Sequence, residues 1–83
     1  MLNTWKDRTL DFSQRFAVGG GTFTEATADT LDEVARFHST MDSLSAHFCW
    51  IYDRQEHRRM PGYDFWWAQR EGSVEDSPRW IPW

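Results

Sequence analysis

A chain of 83 residues with a formal net charge of −4 has room for one domain, 1–83, and for only a modest core. Cys49 is the single cysteine, so neither an internal disulfide nor a cysteine-based zinc cluster can brace the fold, and a reducing cytoplasm suits it. No apolar run approaches the roughly 20 residues of a membrane span. "MLNTWKDRTLDF" has no signal-peptide core either, so an intracellular protein without a membrane partner is expected. The brace is expected to be aromatic, with six Trp, six Phe and two Tyr. Each such ring buries roughly 150–250 Å².

In "RTLDFSQRFAV" the residues Leu10, Phe12, Gln14 and Phe16 share a parity, which predicts an antiparallel strand with one buried face. "GGG" at 19–21 breaks it and "TFTEAT" resumes, so a hairpin is expected there. Thr30 followed by Glu33 is the capping-box spacing, and Asp32 and Glu33 complement the helix dipole. Leu31, Val34, Phe37, His38, Met41 and Leu44 then recur at helical spacing, predicting a helix to about Ser43.

Phe48, Trp50 and Tyr52 alternate in "AHFCWIYDR", and Tyr63, Phe65 and Trp67 alternate in "YDFWWAQR". Two strands joined by a type II turn at Pro61-Gly62 are expected. Met60 and Tyr63 would flank that turn, Arg59 would face Asp64 and Asp53 would face Arg70. One face of the hairpin would hold the six aromatics, the other His47, Cys49, Ile51, Trp66 and Ala68. Residues 71–78 read as a polar linker to an aromatic tail, "RWIPW", expected to dock as a clasp, with a partner-binding element as the alternative. The sum is an α+β fold of two layers: an antiparallel sheet of about four strands, ordered ββαββ, with one helix across it.

Charge is unevenly placed. Residues 25–42 hold five acids (Glu25, Asp29, Asp32, Glu33, Asp42) and one base, Arg36, and the rest of the chain balances. A solvated helix face explains this, and so does a surface for a basic protein partner. It disfavours phosphate at that place.

Chemistry has few candidates. His38, His47, Cys49 and His57 lack the spacing of a metal site. Cys49 beside His47 is flanked by Phe48 and Trp50, a poor setting for a thiolate nucleophile. Asp29, Asp32 and Glu33 cluster where capping already explains them, and "GGGT" lacks the lysine of a P-loop. No enzyme activity, metal or cofactor is therefore expected. Arg54, Arg58 and Arg59 with exposed aromatics offer an alternative, a nucleic-acid-binding module. Eight Arg against one Lys, with six Trp, favour a protein interface instead. An aromatic sheet face is also a candidate for a homodimer contact.

The segment "TFTEATADTLDEVARFHS", followed by a return strand, resembles small phage-encoded inhibitors of host machinery, among them host RNA polymerase inhibitors and anti-CRISPR proteins. The resemblance covers Thr22 to about Tyr52. It implies stoichiometric binding to a larger nucleic-acid-handling protein or nucleoprotein complex in the host cytoplasm. Glu25, Asp29, Asp32 and Glu33 would then oppose a basic surface that normally meets phosphate. The expected partner-binding residues are these four with Arg58 and Arg59.

Overall fold

The computed structural model describes residues 1–83. Its strands are β1 (Asn3–Thr4), β2 (Phe16–Gly20), β3 (Phe23–Ala28), β4 (Trp50–Asp53), β5 (Arg58–Pro61) and β6 (Ile81–Pro82). Its helices are α1 (Leu31–Thr40), α2 (Ser43–Phe48) and α3 (Gly62–Glu71). All six strands join one antiparallel sheet in the order β1-β3-β2-β4-β5-β6. The α+β class stands, but the sheet has six strands rather than about four, and the ββαββ order gives way to three helices.

The first hairpin lies around the glycines, turned by Gly21 at φ +60°, which suits a residue without Cβ. Its first strand begins only at Phe16, and the segment from Trp5 to Arg15 is a looped arm. Local bonds hold that arm in turns: Arg8 N–H donates to Trp5 O, and Ser13 N–H to Asp11 Oδ1. The alternation of Leu10, Phe12 and Gln14 therefore had no ladder to follow.

Helix α1 carries the full capping box. Glu33 N–H donates to Thr30 Oγ1 at 3.2 Å, and Thr30 N–H donates back to Glu33 Oε1 at 3.2 Å. It stops at Thr40 rather than Ser43, because Asp42 starts a new helix by accepting from Ser45 N–H at 2.9 Å. Helix α2 thus occupies Ser43–Phe48 and takes the start of "AHFCWIYDR", where a strand was expected, and β4 keeps only Trp50–Asp53 of that stretch. His47 and Cys49 do not share a strand face: His47 is in α2 and Cys49 is its C-cap.

The second hairpin also differs. Its turn is Arg54–His57, with His57 in the left-handed region at φ +49°, and its register pairs Tyr52 with Arg59 and Asp53 with Arg58. Pro61 ends β5 and caps α3, so Pro61-Gly62 is a strand-to-helix junction, and "YDFWWAQR" is helical. The expected Arg59–Asp64 and Asp53–Arg70 pairs fall away with it. Gly62, Phe65 and Ala68 recur every three residues and are the buried face of α3. Gly62 is needed for packing, since a Cβ there would sit 1.9 Å from Ala46 O and 2.7 Å from Cys49 Sγ. Its absence lets α3 lie directly on α2.

Strand parity and the helices define the core. Phe16, Val18, Ala26, Ala28, Ile51 and Met60 turn toward Val34 of α1 and Phe65 and Ala68 of α3. His38 joins them edge-on to Phe65, at 5.2 Å between ring centroids. All the helical packing in this cluster is therefore on one side of the sheet.

A buried ionic knot closes the same side. Asp53 has no exposed side-chain surface, yet it accepts Arg15 Nε and Nη2 at 3.0 Å each and Arg58 Nε at 2.9 Å. The N–H groups of Gln55 and Glu56 complete its coordination. Glu75 accepts from both guanidiniums, tying the segment after α3 to the sheet. Burial works against the Asp53 charge, but the two guanidiniums and the Glu56 N–H outweigh it and hold the carboxyl below its ordinary value. The tail then runs along β5 as β6. Trp80 packs against the core with its Nε1–H on Val74 O at 2.8 Å and the Arg58 guanidinium 4.3 Å over its ring. Trp83 N–H donates to His57 O.

Candidate functional site

The acidic segment does not form one patch. Asp29 and Glu33 stand at the N-terminal end of α1, where both accept from the Met1 ammonium group, at 2.6 and 2.9 Å. That ammonium group holds both carboxyls below their ordinary values, and they raise its own. Glu33 is buried as well and also accepts from the Asp29 N–H. Asp32 is exposed at the same helix end. Glu25 and Asp42 lie elsewhere, in a shallow hollow with Trp5, Phe37 and Met41 at the far end of α1.

The two expected arginines part company too. Arg58 is spent in the Asp53–Glu75 knot. Arg59, one residue on, points to the opposite side of the sheet, over the Trp50 ring at 4.4 Å. Four further acid–base pairs are internal: Arg79 bridges Asp64 at 2.7 Å and Glu71 at 2.8 Å, and Arg15 joins Asp53 at 3.0 Å and Glu75 at 2.9 Å.

The histidines and the thiol are dispersed. His38 Nε2 is 2.9 Å from Ala46 O; a carbonyl only accepts, so this nitrogen carries the proton, and the bond ties α1 to α2. His57 is in the distant hairpin turn. Cys49 is buried, and burial, helped by the Glu25 charge, pushes its thiol up to about 11. No three His, Cys, Asp or Glu side chains converge in a metal-binding group.

What the structure does gather is an aromatic groove of about 550 Å³ between α1, α2 and α3. His38, Met41, His47, Tyr63, Trp66 and Trp67 are among its walls, with Arg70 at its rim. The rings pair in two groups along this surface. Phe48 meets His47 at 4.7 Å, His47 meets Tyr63 at 5.0 Å, and Trp66 meets Trp67 at 4.7 Å. Arg70 stacks on Trp66 at 3.3 Å while donating to the Trp66 carbonyl. Phe48 and Leu44 are both about two-thirds exposed, and Tyr63, Trp66 and Trp67 are exposed as well. None of the groove walls is a carboxylate.

Sequence reasoning missed this surface because it laid Tyr63 and Trp67 on a strand. Read at 3.6 residues per turn, with Gly62, Phe65 and Ala68 inside, the same letters leave Tyr63, Trp66, Trp67 and Arg70 outside. That spacing was the available signal.

Comparison with family models, with curated proteins and with solved structures found no match to the chain. No helix is long and apolar enough to cross a membrane.

Proposed function

We propose that this chain is a small non-enzymatic protein that binds a larger protein complex and blocks or modulates it. The observation that carries the reading is the cluster of exposed aromatic side chains on α2 and α3. Isolated apolar residues on a surface are ordinary, but a contiguous set rimmed by polar groups marks a contact surface. Trp, Tyr and Arg are also the side chains that dominate binding energy at interfaces. Here Tyr63, Trp66, Trp67 and Arg70 come from one helix, and Leu44 and Phe48 from its neighbour. The groove thus replaces the acidic helix start as the anchor, because Asp29 and Glu33 already have internal partners. Exposed Asp32 contributes long-range attraction to a basic surface. The resemblance of Thr22–Tyr52 to phage inhibitors of host machinery favours a partner among nucleic-acid-handling complexes.

The test is capture of a partner by parallel variants. Phe48→Ser with Trp67→Ser removes two exposed rings and leaves the core intact. It should abolish capture by a tagged protein from a host lysate, while Trp83→Ser, on another surface, should not. Equal capture by all three proteins would eliminate the groove as anchor.

A further inference from the structure

The side of the sheet away from the helices is a second, chemically different surface. The register places Asn3, Thr27, Ala17, Tyr52, Arg59 and Ile81 in one row across all six strands, with Gly19, Trp50 and Pro61 in the next. The looped arm covers the β1–β3 end, where Asp11 N–H donates to Thr27 Oγ1 and Asn3 Nδ2 to Gln14 Oε1. The rest has no element packed on it. Ala17 lies beside Tyr52 and Gly19 beside Trp50, so each ring stands next to a residue too small to hide it. Trp83 adds a third ring, 5.0 Å from Tyr52.

The electrostatics set this face apart. The strand residues that point to it include one ion, Arg59, and no carboxylate. Arg15, Arg58 and Arg79 are each claimed by carboxylates, but Arg59 makes no ion pair and rests on Trp50. Its Nε is the one buried side-chain polar atom of the chain without a hydrogen-bond partner. Arg54 lies two residues beyond Tyr52, exposed, at the margin. A second copy of the chain on this face would bury two unneutralised guanidiniums with no acid opposite, which is costly. The face asks instead for a partner that is flat, aromatic and anionic.

We propose that this open sheet face binds a short stretch of single-stranded nucleic acid, with bases stacked on Trp50, Tyr52 and Trp83 and a phosphate against Arg59. Stacking on rings is tolerant of sequence, because every base has a π-face. An unpaired arginine supplies the charge that the acidic remainder of the chain withholds. Arg58, which the sequence suggested for the same task, takes no part, since it faces the ionic knot. The overall charge of −4 makes the contact short and salt-sensitive rather than extended.

Tryptophan quenching of the full chain by a short oligothymidylate or oligouridylate tests this. Saturable quenching is expected at low salt. It should weaken as salt rises, with a log–log slope of about −0.7 for each phosphate engaged. Trp50→Leu and Arg59→Gln should each weaken binding about 10-fold, within the range measured for single stacking residues. Trp67→Ala, in the groove across the molecule, should leave it unchanged, so failure here and failure of the protein-binding groove are separable. Far-UV circular dichroism of each variant checks that the fold is retained, and Tyr52→Leu is the alternative if Trp50→Leu unfolds. Absence of quenching at low salt overturns the proposal. So does equal binding of duplex, insensitivity to Arg59→Gln, or a dimer in light scattering that Tyr52→Leu converts to monomer.

Discussion

Replacing Asp53 by Asn tests the ionic knot most severely. The change keeps the side-chain shape but removes the charge that faces two guanidiniums, and it puts an amide donor where only acceptors fit. Removing one partner of a buried ion pair costs about 3–5 kcal/mol, because the other is left desolvated and unpaired. Glu75 still accepts from both arginines, and their side chains keep about a fifth of their surface in water, so the lower part of that range, about 3 kcal/mol, is expected. At about 0.05–0.15 kcal/mol per residue the whole chain is stable by roughly 4–12 kcal/mol. The variant therefore loses a quarter or more of its stability. With about 4–8 °C per kcal/mol for a domain of this size, its melting temperature should fall by about 12–24 °C. Urea denaturation followed by circular dichroism gives the free energy directly. The pH dependence supplies a second check. Asp53 is depressed below its ordinary value of 3.8, so its contribution is complete above that value and is lost as pH falls through the depressed one. The parent should lose stability in acid more steeply than the variant. A loss of under about 1 kcal/mol, with parallel acid limbs, would refute the reasoning, since this is the range of an exposed pair.

Gly62→Ala should cost about 1–3 kcal/mol by overpacking, as its methyl group would collide with Ala46 O; a melting temperature equal to the parent's would contradict the α2–α3 contact. Trp80→Ala should cost about 2–4 kcal/mol as a partly buried ring, and Trp83→Ala under about 1 kcal/mol, because Trp83 is 56% exposed; reversed values in urea melts would contradict the packing of the tail. Cys49 should resist iodoacetamide at pH 8 in the native state and react on unfolding, since its thiol titrates near 11; rapid native labelling would contradict its burial. Asp32→Lys should cost about 1 kcal/mol, because it reverses a charge in the first turn of α1, while slowing partner association at low salt, because Asp32 is exposed; an unchanged association rate would remove charge steering.

Local chemistry made part of this fold legible. The capping box and the glycine turn are short-range devices whose partners lie within a few residues, so their letters suffice. Of the second half only the strand at Trp50–Asp53 was legible, for a physical reason. "AHFCWIYDR" and "YDFWWAQR" each alternate aromatics, but alternation over three rings also fits a helix in which the first and third face out and the middle one turns in, as Tyr63, Trp67 and Phe65 do. What decided between them was tertiary. Gly62 fits only against α2, a contact that no local pattern announces, whereas the Asp42 cap on Ser45 is local. The candidate site inherits that ambiguity. Each of its rings was visible in the sequence, but the face they share depends on the helix.

The charges argue the same way about function. A carboxylate that already accepts an internal cation has little left to offer a partner, because breaking the internal pair offsets the new contact. Asp29, Glu33, Asp53, Asp64, Glu71 and Glu75 are all engaged in this way, as are Arg15, Arg58 and Arg79. The formal charge map of the sequence therefore overstates what the surface presents. Rings are different, since a half-exposed Trp or Tyr can lose the rest of its exposed area to a partner without surrendering what it already buries. Trp66 and Trp67 on one side, and Trp50, Tyr52 and Trp83 on the other, keep that capacity. Arg59 keeps its charge unspent among them. On this chain the aromatic surfaces, more than the acidic segment, are where binding free energy is still available.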